Sequence, residues 1–233
     1  MASSRQTIKN RLLAAQDSGD LAELSEELQP VDLPKKLVLY EVGAPLDYVY
    51  FIEGGLASVL TTMEDGASSE VGMVGPEGMI GASALLGGTV SAQHIVMQLP
   101  GKALRVPAAI CKRWFDDNAR VRRVLLRFIE DLLNLSSQTA ACNRLHSVEQ
   151  RCARWLLMSS DRIESDVLRL TQEFLASMLG VRRAGVSETA AELQRSALIR
   201  YRRGEITIID RRGLEVVACE CYELDRQRIA RLL

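Results

Sequence analysis

The segment from Thr171 to Arg195 constrains this chain most: two short helical runs hinge at Gly180, and an arginine pair opens the second. Thr171 can cap the first helix, and Glu173 puts a negative charge in its first turn, where unpaired amide groups favour one. Phe174, Leu175, Met178 and Leu179 recur at helical spacing and give that helix one apolar face. Gly180 supplies a left-handed turn without a Cβ penalty. Val181, Val186, Ala190 and Leu193 form an inward stripe on the second helix. Arg182, Arg183, Ser187, Glu188 and Ala191 are left facing outward, where a DNA major groove would meet them, with Thr171 and Gln172 beside them at the start of the first helix.

The next residues, Ala197 to Asp210, read as two β-rich runs around a Gly204-Glu205 turn, with Arg200, Arg202 and Arg203 near the tip. A helix-turn-helix followed at once by a basic hairpin is a winged helix, in which the wing holds phosphates and the second helix meets bases. The plainer alternative is a helical hairpin on a small sheet with solvated arginines.

The net charge of −1 argues against indiscriminate coating of nucleic acid, but it is unevenly spread. Residues 144–233 carry a net +3 and residues 1–143 a net −4, and every Lys or Arg beyond Lys112 is an arginine. Arginine's planar fork bonds phosphate or a guanine edge bidentately, which suits geometric recognition. No apolar run approaches the roughly 18 residues of a membrane span, and the polar N-terminus lacks a signal-peptide core, so the expected location is the cytoplasm, with no membrane partner. The five cysteines are expected to be reduced, structural thiols. Cys219 and Cys221, on one expected helix, would point apart and make a poor ligand pair, and His94 and His146 stand in no motif, so no metal site is expected.

Toward the N-terminus, Leu37–Tyr40, Tyr48–Ile52, Leu56–Leu60 and Ile95–Leu99 are short β-rich runs separated by glycine corners, the pattern of a sandwich or jelly roll. Residues 5–29 form a helical lead-in to it. From near Asp116, Val121, Leu125, Phe128, Leu132, Leu135 and Thr139 alternate at steps of four and three, a coiled-coil seam. Such a stripe can pack on its own barrel, but a two-fold dimer would place two reading helices about 34 Å apart, in adjacent major grooves. The expected architecture is therefore α+β: a β jelly roll with its lead-in (1–115), a dimerisation helix (116–145) and a winged helix-turn-helix (146–233).

Barrel, long helix and winged helix in this order resemble the cyclic-AMP receptor and fumarate-nitrate reductase regulator (Crp/Fnr) family of bacterial transcription regulators. The resemblance runs from about Leu33 to Asp210 and is most specific in Arg151–Leu157, Leu170–Leu193 and Leu198–Ile209. It implies a homodimer on double-stranded DNA whose affinity an effector controls, and which recruits or blocks RNA polymerase. Val71–Gly81 resembles the loop before the effector pocket. There the cyclic-nucleotide-binding relatives carry Gly-Glu-x-Gly, whose acid holds the ribose, and an Arg before Ser-Ala that neutralises the phosphate. Here the corresponding residues are Gly78-Met79-Ile80-Gly81 and Val90 before Ser91-Ala92. Both charged anchors are absent, and burying a phosphate without a cation is costly. Ser136 and Ser137 fall where relatives contact the base. The iron–sulfur branch needs an N-terminal cysteine cluster, and none precedes Cys111. No cofactor is therefore expected, and the effector is open.

The reading helix departs too. Where many relatives carry Arg-Glu-x-x-x-Arg, this chain has Arg183-Ala184-Gly185-Val186-Ser187-Glu188, so its operator is expected to differ. Arg183 is expected to read a guanine, Glu188 to accept from a cytosine or orient an arginine, and Arg182, Arg202 and Arg203 to hold phosphates. A cyclic-nucleotide-responsive regulator is the alternative reading. An enzyme is disfavoured, because the sequence offers no nucleophile–base pair, and glycine-rich Gly72–Gly81 lacks the Lys-Ser/Thr of a phosphate loop.

Overall fold

The computed structural model describes residues 8–64, 66 and 68–232, so residues 5–7 of the expected lead-in lie outside the described residues. An antiparallel sheet forms from β1 (Gln29–Leu33), β3 (Tyr48–Thr62), β4 (Ser68–Val74) and β6 (His94–Pro107) in the order β1-β6-β3-β4. Short β2 (Val38–Tyr40) pairs with β6, and β5 (Met79–Ile80) with β3. The expected corner at Gly54-Gly55 is absent: β3 runs straight through it, and the two glycines make an irregularity in register against β6 instead. The cause is crowding. A Cβ on Gly101 would lie 1.8 Å from the Gly54 carbonyl oxygen, and Gly55 takes φ +82°. Two short helices, α1 (Arg11–Ala14) and α2 (Ser18–Ser25), close the barrel with Leu12, Leu13 and Leu24 fully buried. The buried Asn10 side chain caps α1 and donates to the carbonyls of Ile52 and Gly78.

Helix α3 (Ala108–Asp117) ends at Asn118, whose side chain accepts from the amides of Arg120 and Val121 and so starts α4 (Ala119–Leu145). The long helix thus begins three residues after Asp116, which belongs to α3. Its four-three stripe corrects the expected dimer seam. Val121, Leu125, Phe128, Leu135 and Thr139 are buried, and Leu132 half-buried, within the chain itself. Phe128 packs so closely on Gly78 that a Cβ there would sit 2.3 Å from its ring. Hydrophobic spacing alone cannot distinguish a partner helix from the chain's own barrel, and here the barrel takes the stripe. The opposite face leaves Leu126 and Leu133 exposed, one heptad apart, with exposed Ala140 a heptad further on.

Helix α5 (Val148–Ile163) starts in a reciprocal capping box between Ser147 and Gln150 and is buried along most of its length. It joins barrel to reader. Leu56, Leu60, Met73 and Leu99 of the barrel share one core with Trp155, Leu156 and Met158 of α5 and with the reader's apolar residues. Two clusters of buried charged groups, one around Arg162 and one around Glu70, sit at this junction. Arg162 donates to Glu77 at 2.7 Å and to both carboxylate oxygens of Asp225, at 3.0 and 3.4 Å. It thereby ties α5 to the turn after β4 and to α9 (Cys221–Leu232). Burial alone would raise the Asp225 carboxyl, but Arg162, aided by Arg228, pulls it below its ordinary range. Glu70 on β4 accepts from Trp155 at 2.9 Å, from Gln98 at 3.1 Å and from Ser58. Its burial pushes the carboxyl up to about 7 against those hydrogen bonds and the charges of Arg154 and Arg162.

Replacing Arg162 by Met leaves the buried Glu77 carboxylate unpaired and Asp225 with Arg228 alone, and is expected to cost about 3–5 kcal/mol in chemical denaturation. Adding Glu77→Gln, which leaves Asp225 paired with Arg228, is expected to recover most of the loss. The Glu70 carboxyl has the opposite sign from the usual acid. Its folded value lies above the ordinary 4.5, so the folded chain keeps a proton that the unfolded chain has released. Stability is expected to fall as pH rises from about 4.5 to about 7, by up to about 3 kcal/mol. Unfolding curves of Glu70→Gln over this window are expected to lose that slope.

Candidate nucleic-acid interface and effector site

The reader comprises β7 (Val167–Leu168), α6 (Gln172–Leu179), α7 (Arg183–Arg195), β8 (Ile199–Arg202), β9 (Glu205–Ile208) and α8 (Arg211–Val217). Thr171 caps α6 by accepting from the Phe174 amide at 3.2 Å. Gly180 ends α6 at φ +60°, and the Val181 amide returns to the Ala176 carbonyl at 3.0 Å. The buried Arg151 guanidinium of α5 donates to the Leu179 carbonyl, holding the turn from behind. In the sequence Arg151 stands out only within the Arg151–Leu157 run of the family resemblance, and its contact with Leu179 spans 28 positions, which no local pattern reports.

Helix α7 buries Val186, Thr189, Ala190 and Leu193 and turns Arg182, Arg183 and Glu188 to solvent. Ser187 and Gln172 are engaged with one another, the serine donating to the glutamine oxygen at 2.8 Å. That bond pins the start of α6 to α7, so these two side chains set the angle between the helices. Arg182 begins α7 without any side-chain cap, which leaves the first amides of the helix open. The reader's surface ion pairs are made by Arg169, Arg195 and Arg211, while Arg182, Arg183, Arg200, Arg202 and Arg203 stand without one among the described residues.

The hairpin turn falls one residue earlier than the sequence suggested. Arg202 pairs with Glu205 as the last rung, and Arg203 and Gly204 span the turn at φ +51° and +79°. Positive φ at both central residues matches the right-handed strand twist, which is why a two-residue turn wins. Arg202 and Arg203 are exposed at its tip. Strand β7 adds a third member beside β9.

The expected effector residues do not gather around one cavity. Met79 and Ile80 are buried in the barrel core, and Gly78 lies under Phe128. Gly81, at φ +89°, abuts the Tyr48 carbonyl oxygen. Ser91 is buried and bonded to the Gln93 backbone, whereas Ala92 and Val90 are exposed. Ser137 donates to its own helix at Leu133 and lines a groove between α4 and α9, and Ser136 beside it is half-buried. Ser137 follows Leu135 by two residues, about 200° around the helix, so it points away from the barrel. Between α4, α5 and β4 lie two small spaces of about 20 Å³ each, one lined by Glu70, Met73, Leu135, Thr139, Trp155 and Met158 among others, the other by Met73, Phe128, Leu132 and Arg162 among others.

Two of the free cysteines lie otherwise than expected. Cys219 and Cys221 do not share a helix: α8 ends at Val217 and α9 starts at Cys221, so the chain turns between them and both thiols point the same way. They meet Cys142 and His146 at the end of α4. The Cys142-x-x-x-His146 spacing at that helix end was the only local signal.

Comparison with known proteins agrees with this layout. The family model for the cyclic nucleotide-binding domain matches residues 30–118, and that for the Crp-like helix-turn-helix domain matches residues 150–217. The chain is 26% identical over 199 residues to the CRP-like cAMP-activated global transcriptional regulator of Mycobacterium tuberculosis, covering 82% of this chain and 88% of that protein. It is 27% identical over 218 residues to the transcriptional regulatory protein btr of Bordetella pertussis, covering 87% and 86%. In fold it matches FixK2 of Bradyrhizobium japonicum at TM-score 0.71 with 16% identity, covering 82% of this chain and 98% of that one. The CRP/FNR-family regulator TTHA1359 of Thermus thermophilus gives 0.68 with 22% identity, covering 82% and 98%. A β-rich domain of the nucleotide-binding type, a long helix and a Crp-like helix-turn-helix in one chain make this protein a member of the Crp/Fnr family of transcription regulators.

Proposed function

We propose that this regulator binds double-stranded DNA sequence-specifically as a homodimer, and that its β domain takes no cyclic nucleotide in the manner of the cyclic-nucleotide-binding relatives. The observation that carries the DNA reading is the exposed, unpaired Arg183 on the outer face of α7, flanked by Arg182 and Glu188, while the back of the same helix is buried. Arg183 reads a guanine edge, Glu188 accepts from a cytosine or orients a neighbouring arginine, and the wing's Arg202 and Arg203 hold phosphates together with Arg182. Thr171, Gln172 and Ser187 set the start and tilt of the two helices. At a promoter, such a complex recruits or blocks RNA polymerase.

Dimerisation uses the free face of α4, Leu126, Leu133 and Ala140, since the expected seam is occupied by the barrel. Its heptad spacing suits a parallel helix pair, and pairing would set the two α7 helices one DNA turn apart. Against a cyclic nucleotide stands the site of its phosphate: Met79 is buried in the core, Val90 is exposed, and neither offers a cation. The cAMP-activated relative of Mycobacterium tuberculosis supports the alternative, a cyclic-nucleotide sensor. Titration calorimetry with cyclic AMP and cyclic GMP is expected to give no binding heat, and saturable heat with either would favour the alternative.

Arg183→Ala is expected to lose about 1–3 kcal/mol of discrimination at one base pair, roughly 5- to 150-fold, when operators selected from a random pool are compared. Arg202→Ala and Arg203→Ala are expected to weaken all sequences alike and to lower the salt slope by about one each. Unchanged preference in Arg183→Ala would sink the reading of α7. Leu126→Glu with Leu133→Glu is expected to give a folded monomer in analytical ultracentrifugation with much weaker operator binding, whereas Leu125→Ala is expected to destabilise the fold and leave association intact.

A further inference from the structure

The cluster at the far end of α4 has the composition and geometry of a metal site that the DNA-binding reading does not use. Cys142 and His146 lie four residues apart at the end of α4, and Cys219 and Cys221 bracket the turn from α8 into α9. One ligand atom from each, three sulfurs and the His146 Nδ1, lie within 4.8 Å of one another. The Cys142 and Cys219 sulfurs are 3.6 Å apart, and the Cys221 sulfur is 3.7 Å from His146 Nδ1. A tetrahedral ion with metal–sulfur bonds of about 2.3 Å and metal–nitrogen bonds of about 2.0 Å has sulfur–sulfur edges of about 3.8 Å and sulfur–nitrogen edges of about 3.5 Å. The observed separations match such edges. They are too short for a cluster in which each thiolate holds a different iron.

The surroundings are those of a metal-bound histidine and thiolate. While Nδ1 faces the sulfurs, the other ring nitrogen, Nε2, lies 3.2 Å from the Glu220 carboxylate. That is the carboxylate–histidine arrangement that fixes the tautomer and raises the basicity of a metal-bound imidazole. Gln138 donates an amide hydrogen to the Cys221 sulfur at 2.9 Å. All three cysteines are buried and His146 half-buried, so the ion would be largely shielded from water.

We infer that Cys142, His146, Cys219 and Cys221 form a binding site for one soft divalent cation of the zinc type, closed by four protein ligands. Four protein ligands leave no open position for catalysis, so the role is structural or sensory. Binding joins the last turn of α4 to the start of α9, at the hinge between the β domain and the reader. The thiols give up their protons to solvent as the ion enters, and no redox change is involved.

The test uses the full-length chain, reduced and stripped with a chelator, and titrated with Co²⁺ under anaerobic conditions. The expected result is one ion per chain, with the strong visible bands of tetrahedral Co²⁺ and sulfur-to-cobalt charge transfer, both abolished by one equivalent of Zn²⁺. Cys221→Ser is expected to lose part of the charge-transfer band. Glu220→Gln alters an exposed side chain that is not a ligand, and is expected to weaken Zn²⁺ binding 10- to 100-fold in competition with a chromophoric chelator. A wild-type titration that shows only weak octahedral bands, or uptake well below one ion per chain, would overturn the assignment. So would a charge-transfer band that Cys221→Ser leaves unchanged.

Discussion

The rest of the molecule depends on one buried cation. Arg162 sits where the turn after β4, helix α5 and helix α9 meet, with Glu77 from the first and Asp225 from the last on its guanidinium. A lone charge at such depth would be prohibitive, and the pair of carboxylates makes it tolerable only because the fork of arginine can bond both at once. The geometry therefore demands that the three elements arrive together. No local preference of any one of them fixes their mutual position; the need to satisfy this charge does. Gly75 belongs to the same constraint, since a Cβ there would lie 2.8 Å from Glu77 and 3.0 Å from Arg162.

The long helix illustrates how a correct periodicity can be assigned to the wrong partner. The steps of four and three from Val121 to Thr139 identify an apolar stripe, and the stripe is real. What the spacing does not contain is the identity of the opposing surface. That depends on Gly78, some fifty residues away, which has no side chain and so admits the Phe128 ring to the barrel wall. Once the stripe is taken, the weaker heptad of Leu126, Leu133 and Ala140 becomes the face a second chain can use.

Elements whose signals are local were legible from the sequence. Thr171, Gly180 and the outward arginines specify the reading hairpin through capping, left-handed backbone and one-sided polarity, all within 25 residues. The wing was legible apart from its turn, because Arg203 bears φ +51° in a position where glycine or asparagine is the usual residue. Beyond that reach the signals fade. The unbroken β3 depends on Gly101 across the sheet, the hold on Leu179 depends on Arg151 of another helix, and the cysteine cluster joins positions 77 apart. In the effector region, absent charged anchors were readable as absences, whereas the seating of Phe128 on Gly78 was not.

Barrel and reader share a core, and this limits how a signal could alter the reader. Glu70 receives Trp155, Ser68 meets Ser177 at 3.2 Å, and Lys35 donates to the Arg169 carbonyl, so the back of the reader is tied to the β domain at several points. The outer face of α7 is open. A signal therefore gains nothing by uncovering Arg183, which is already exposed. In the proposed reading a signal changes DNA affinity only by shifting the whole head, which means breaking these polar contacts, of which the Glu70–Trp155 bond is buried and costly to leave unpaired. A signal acting on any such shift could move the balance only by as much as it prefers the shifted arrangement. The elements best placed to express that preference are those that span the junction, α5 with its buried arginines and the α4–α9 contact at its far end.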